Sequence, residues 1–132
     1  MIIGSVQDPL VFEVWTLKDD VPVMLVQSGI HNRYYLQYAD EDQLWYLAYE
    51  AENGAANFAV YYLQLFDGVL EVSQGIIFDA VADEKNPWFM TYDMDWDVSN
   101  DYPVDEDLAN AIMDAGRKIY VTTEYFPYCL YR

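Results

Sequence analysis

Through its first two thirds the sequence alternates short apolar and aromatic runs with turn-forming residues, and the i, i+3, i+4 stripes of a helix are missing there. This pattern predicts strands over 2–7, 10–17, 21–27, 33–38, 43–50, 57–66, 69–79 and 88–97. Asp67-Gly68 lies between VYYLQLF and VLEV, where two residues tolerant of positive φ close a type I′ hairpin whose twist matches its strands. Asn53-Gly54 marks a looser reversal between QLWYLAYE and NFAVYYLQLF, and Ser28-Gly29 marks a third. Short reversals of this kind favour antiparallel neighbours.

The pattern changes once. Leu108, Ala111, Ile112, Ala115 and Ile119 fall on one helical face, Asp105 suits the N-cap, and Arg117 and Lys118 sit where a helix dipole favours positive charge. After it, YVTTEYFPYCLY reads as a last strand that Pro127 confines to an edge. The expected class is α+β: a mostly antiparallel β meander of seven to nine strands with one late helix packed on the sheet, in a single domain over 1–132.

Residues 90–98 carry a second periodicity. Met90, Tyr92, Met94, Trp96 and Val98 alternate with Thr91, Asp93, Asp95 and Asp97, the pattern of a half-buried strand with an acidic outer face and Trp96 pointing inward. Same-face residues of a strand lie ~6.8 Å apart, comparable to the spacing of phosphates along a nucleic-acid strand. Asp101, Asp105, Glu106 and Asp107 extend the row, while Asp79, Asp83 and Glu84 precede it with only Lys85 in opposition.

Composition sharpens the question that this run raises. The 23 Asp and Glu against 6 Lys and Arg give a net charge of −17 over 132 residues, where a small domain usually carries a magnitude of ~2–8. The row spacing is inside the ~8 Å Debye length at physiological salt, so ions do not screen the repulsion away. Such a chain is repelled by nucleic acid and by anionic lipid, and its natural partners are cations or basic proteins. With 54% hydrophobic and 17% aromatic residues it has the apolar surface that folding requires. One cysteine, Cys129, excludes an internal disulfide and a multi-thiolate zinc site, and with no signal-peptide pattern or long apolar run the expected location is cytoplasmic.

Several chemistries fit poorly. Asp95, Asp97, Ser99, Asn100 and Glu106 fall at positions 1, 3, 5, 6 and 12 of a calcium loop. Asn100 nevertheless replaces the turn glycine, Pro103 occupies position 9, and no helix enters. Asp95, Asp97, Ser99 and Glu106 are therefore weak metal candidates, and no cofactor is expected. His31 in a turn and the scattered serines form no nucleophile motif, and Cys129 among Tyr128, Leu130 and Tyr131 reads as a buried thiol. Glu50 and Glu52 are a carboxylate pair, but nothing singles them out for glycoside hydrolysis. The glycines make no phosphate-binding loop. The aromatic pairs Tyr34-Tyr35, Trp45-Tyr46, Tyr61-Tyr62 and Trp88-Phe89 put rings on both faces of their strands, which implies either a sheet covered on both sides or some rings exposed as contact anchors.

The expectation is a non-catalytic acidic binding protein that inhibits or neutralises a basic protein, such as a nuclease or another nucleic-acid-binding enzyme. Asp93, Asp95, Asp97, Asp101, Asp105, Glu106 and Asp107 would present a phosphate-mimicking surface, with no direct binding of nucleic acid or membrane. In composition the chain is similar to immunity proteins of nuclease toxins and to phage-encoded anti-defence inhibitors of restriction or CRISPR enzymes. The alternative is a β domain that binds a divalent metal or small ligand, with hydrolase activity as its catalytic form.

Overall fold

A computed structural model describes residues 2–5, 12–27 and 32–120. These form β1 (Ile2–Ser5), β2 (Phe12–Lys18), β3 (Val21–Gln27), β4 (Asn32–Ala39), β5 (Leu44–Glu52), β6 (Asn57–Phe66), β7 (Val69–Asp79), β8 (Trp88–Thr91), β9 (Tyr102–Pro103), α1 (Glu106–Met113) and β10 (Arg117–Tyr120). Strands β1-β2-β3 make a three-stranded sheet, and β10-β4-β5-β6-β7-β8-β9 a seven-stranded one. Every pairing is antiparallel. The class is α+β, and β4 to β9 follow one another as a meander. The described residues hold ten strands in two sheets, more than the seven to nine expected of one sheet.

Burial along β6 explains the layers. Ala59, Val60, Tyr61, Tyr62 and Leu63 are all buried, so consecutive side chains on opposite faces both need cover. One face carries Ala59, Tyr61 and Leu63 with Leu47, Ile77 and Phe89, and Val14 of the small sheet packs into this cluster with Leu25 and Val26. The other carries Val60 and Tyr62 with Tyr35 and Ala48, and Ile112 and Met113 of α1 close over it. The sheet is thus covered on both sides, one of the two readings that the aromatic pairs allow. Tyr34 stacks on Tyr49 at 4.8 Å and Tyr49 on Tyr61 at 6.1 Å, extending one aromatic file across three strands.

The hairpin at Asp67-Gly68 forms as expected, with φ of 47° and 77° suiting a type I′ turn. Asp19-Asp20 does the same between β2 and β3, at 51° and 63°. Aspartate tolerates this region because its short side chain bonds locally. Lys18 ties the two tips together: Nζ donates to the Asp67 carbonyl at 3.1 Å and lies 3.6 Å from its carboxylate. The Asn53-Gly54 reversal is also present, whereas Ser28-Gly29, His31, Pro127 and Cys129 lie outside the described residues.

Three elements depart from expectation. Strand β8 stops at Thr91, not at residue 97. Helix α1 ends at Met113, and it buries Ala109 with Ile112 and Met113 while Leu108 and Ile119 are each 46% exposed. Arg117 and Lys118 belong to β10, which pairs with β4. Gly116 makes that return possible: its φ is 77°, and an added β-carbon would run into the Tyr38 carbonyl oxygen. Only glycine meets both demands cheaply. Gly116→Ala is expected to cost at least about 2 kcal/mol of stability, read from the urea midpoint, because strain and backbone overlap act together.

Candidate functional site

After Thr91 the chain leaves the sheet and crosses the face that bears Tyr61. A segment outside a sheet must find new partners for its amides, and the side chains at every second position supply them. Thr91 Oγ1 accepts from the Asp93 amide at 3.3 Å, Asp93 Oδ1 from Asp95 at 3.3 Å, Asp95 Oδ1 from Asp97 at 2.9 Å, and Asp97 Oδ1 from Ser99 at 3.0 Å. This is a ladder of turns in which each carboxylate binds the amide two residues on. The two-residue period of the aspartates is therefore the period of these turns, and the expected strand face is corrected accordingly. A strand over 92–97 would also have hidden Tyr92 and Met94, which are exposed at 55% and 39%.

Trp96 does turn inward, through a backbone at φ 64°. Its ring meets Tyr61 edge-on at 6.3 Å and joins Val98 against the core. Beyond it, Val98–Asn100 forms a single 3-10 turn and Tyr102–Pro103 pairs with β8. Asp105 then caps α1, its Oδ1 accepting from the Leu108 amide at 2.7 Å, and Glu106 and Asp107 occupy the first turn, where the dipole favours them. Upstream, Asp79 Oδ1 accepts from the Val81 and Ala82 amides and Asp83 Oδ1 from Lys85 and Asn86. Acceptor duty in irregular backbone is thus shared by much of the acidic segment.

Of the seven predicted partner-binding residues, Asp93, Asp95, Asp97, Asp105, Glu106 and Asp107 are exposed, and Asp101 is half-buried. None is in an ion pair among the described residues, where the bridges are Lys18–Asp67, Arg33–Glu50, Arg33–Glu52 and Arg117–Asp40. Arg33 engages both Glu50 and Glu52, which accounts for that pair structurally. Asp95, Asp97, Ser99 and Glu106 do not assemble as a calcium loop: Ser99 is inside a 3-10 turn, and β9 lies between it and Glu106 in the first turn of α1. Among the described residues no group of three or more acids, histidines or cysteines is placed to hold a metal.

Asp101 is the one of the seven that is not fully exposed. Its Oδ2 is buried without a hydrogen-bond partner. Burial raises its pKa, a hydrogen bond with Thr91 opposes the shift, and Asp93, Asp95 and Asp97 add repulsion. Asp97 moves the other way, held down by its bonds to Ser99. The same acids reach Tyr61, whose pKa is raised first by burial and then by Asp101 and Asp93. The charged ladder and the core beneath it are therefore electrostatically coupled. Compared with known proteins, the chain matches no family model, no curated protein and no solved structure.

Two predictions follow from this geometry. Asp101 binds its proton more tightly folded than unfolded, so stability falls as pH rises through its folded pKa. Asp101→Asn should accordingly raise the melting temperature by a few degrees at pH 7, the gain shrinking as pH is lowered towards the ordinary value of 3.8. Changing Asp93, Asp95 and Asp97 together separates charge from hydrogen bonding. The triple Asn variant keeps its carbonyl acceptors and should preserve or raise the melting temperature, whereas the triple Ala variant should melt a few degrees below it.

Proposed function

We propose that this chain is a non-catalytic acidic binding protein that inhibits or neutralises a basic partner, a nuclease or another nucleic-acid-binding enzyme, by occupying its phosphate-binding groove. On this reading it works in the cytoplasm, in the manner of an immunity or anti-defence protein. The observation that carries the reading is the run of exposed carboxylates over 93–107, with no cationic neighbour paired to it among the described residues. Each ladder aspartate accepts an amide at Oδ1 and stays exposed, so the carboxylates remain accessible to an external donor. The turn ladder holds successive acids in place on one continuous segment, so less ordering entropy is lost when a groove closes over them.

The acceptor role does not by itself account for the charge. Asparagine offers a similar carbonyl to the same amides and carries no charge; aspartate makes the stronger, charge-assisted bond but adds repulsion from its neighbours. A partner's positive groove turns that repulsion into long-range attraction, with fast encounter and discrimination against acidic proteins. Arginine and lysine side chains that normally meet phosphate oxygens would meet carboxylate oxygens here.

Affinity capture from native-host lysate at ~50 mM salt tests this reading, because charge-dominated contacts weaken steeply with added salt. The expected result is a basic nucleic-acid-binding protein, released as salt rises and displaced by its own nucleic acid. Association with the Asp93, Asp95 and Asp97 triple Asn variant should be slower by about tenfold. A partner bound equally well by that variant would place the interface elsewhere.

A further inference from the structure

A second surface lies at the end of the fold where the β2–β3, β4–β5 and β6–β7 turns meet, the first tied to the last by Lys18 and Asp67. Between β4 and β7 a groove of about 380 Å3 opens there. Its floor is Leu47 and Leu63, both buried, and Leu44, Trp45, Leu65 and Phe66 stand around it at 44%, 51%, 38% and 53% exposure. No charged side chain is among its described walls. Folding alone gives no reason to leave four large apolar side chains of one groove in water, which disfavours each of them. Contiguous apolar surface rimmed by polar residues marks a contact site. The Trp45 ring already rests against Tyr38 at 5.0 Å, so this wall loses little freedom when it is covered.

The rim narrows what would cover it. The three turns carry Asp19, Asp20, Asp40, Glu41, Asp42 and Asp67. Lys18 pairs with Asp67 and Arg117 with Asp40, whereas Asp19, Asp20, Glu41 and Asp42 are exposed and in no ion pair among the described residues. These acids alone would attract any cation; the apolar floor is what sets this surface apart. A second copy of the chain is disfavoured, because the same acidic collar would face itself and each copy carries a net charge of −17. An acidic peptide or an anionic lipid surface is repelled for the same reason. Floor and collar together fit an apolar side chain with basic neighbours.

We propose that this groove docks a segment of a basic protein in which one large apolar side chain, seated on Leu47 and Leu63 between Trp45 and Leu65, is flanked by lysines or arginines that meet the carboxylates of the three turns. In contacts of this kind an anchor buried in an apolar pocket supplies most of the affinity, and the charged rim supplies orientation and discrimination. The site is separate from the acidic segment over 93–107, none of whose residues lines it. It stands whether or not that segment meets a phosphate-binding groove.

Titration of the methyl-labelled 132-residue chain with defined peptides, followed by NMR, tests this docking. Acetyl-Lys-Lys-Phe-Lys-Lys-amide should shift the Leu44, Leu65 and Leu70 methyls saturably. It should bind there about tenfold tighter than acetyl-Lys-Lys-Ser-Lys-Lys-amide, which has the same charge and no anchor. Acetyl-Glu-Glu-Phe-Glu-Glu-amide should leave these methyls unmoved. Leu65→Ser, at an exposed position, should weaken the phenylalanine peptide about fivefold. The Asp19→Asn, Asp20→Asn, Asp42→Asn variant should weaken it to a similar extent while keeping the apolar wall, since asparagine tolerates the positive φ of residues 19 and 20. Equal binding of the serine peptide in the groove, shifts confined to residues 93–107, or affinity unchanged in either variant would overturn the proposal. So would sedimentation of the free chain as a dimer with shifts at these methyls on concentration, which assigns the groove to a second copy. Nuclear Overhauser contacts from residues 121–132 to Trp45 or Leu65 in the free chain would overturn it as well, by assigning the groove to the chain's own terminal residues.

Discussion

Double-sided burial of β6 is the constraint from which the architecture follows. Five consecutive residues, Ala59 to Leu63, are shut away from water, and each large side chain so buried stabilises the fold by about 1.5–3 kcal/mol. A sheet cannot cover its own faces. One face is closed by Val14 and its neighbours in the small sheet together with Trp96 and Val98, the other by Ile112 and Met113 of α1. The segment between β8 and β9 must therefore lie across the Tyr61 face as irregular backbone, and irregular backbone near a core needs local acceptors. The turn ladder meets that need, and it explains why side-chain acceptors recur at every second position.

The acidic character of the protein thus has two physical origins that composition merges into one number. In the loops, Asp79, Asp83, Asp93, Asp95, Asp97 and Asp105 accept amide hydrogens that have no sheet or helix partner. At Glu106 and Asp107 the charge faces the positive end of a helix. Both roles hold carboxylates in fixed places, and neither neutralises them. Surface ion pairs contribute little even where they form, so the absence of such pairs along 93–107 among the described residues costs the fold little.

The strands were legible because their punctuation has a local cause. Asp67-Gly68 and Asn53-Gly54 name their turns, and β5, β6 and β7 begin and end close to where the apolar runs do. The segment 92–97 was misread because period two belongs equally to a pleated strand and to successive side-chain turns; Thr91 as the first acceptor and Ser99 as the last donor were the available signs. The helix face was misassigned for a different reason. Ile112 packs against the core as the spacing expects, but Leu108 and Ala111 are exposed while Ala109 and Met113 turn inward, and Gly116 carried a stop signal that the apolar spacing obscured. Asp101 gave no sign at all, since its burial and its hydrogen bond with Thr91 arise only when the chain returns to the end of β8.

Asp101 also links the charge of the ladder to stability. Its carboxyl is pushed toward the neutral form by burial and by Asp93, Asp95 and Asp97 acting together. Burial is the larger cause and the three charges add to it, so a cation placed over the ladder without burying Asp101 further would remove only the added part of the penalty for its ionisation. By linkage, whatever relieves the folded state and not the unfolded one stabilises the fold. A cation over the ladder would act through Asp101 alone, because Tyr61, whose pKa is raised above 10.0, stays a neutral phenol and takes no part in that gain.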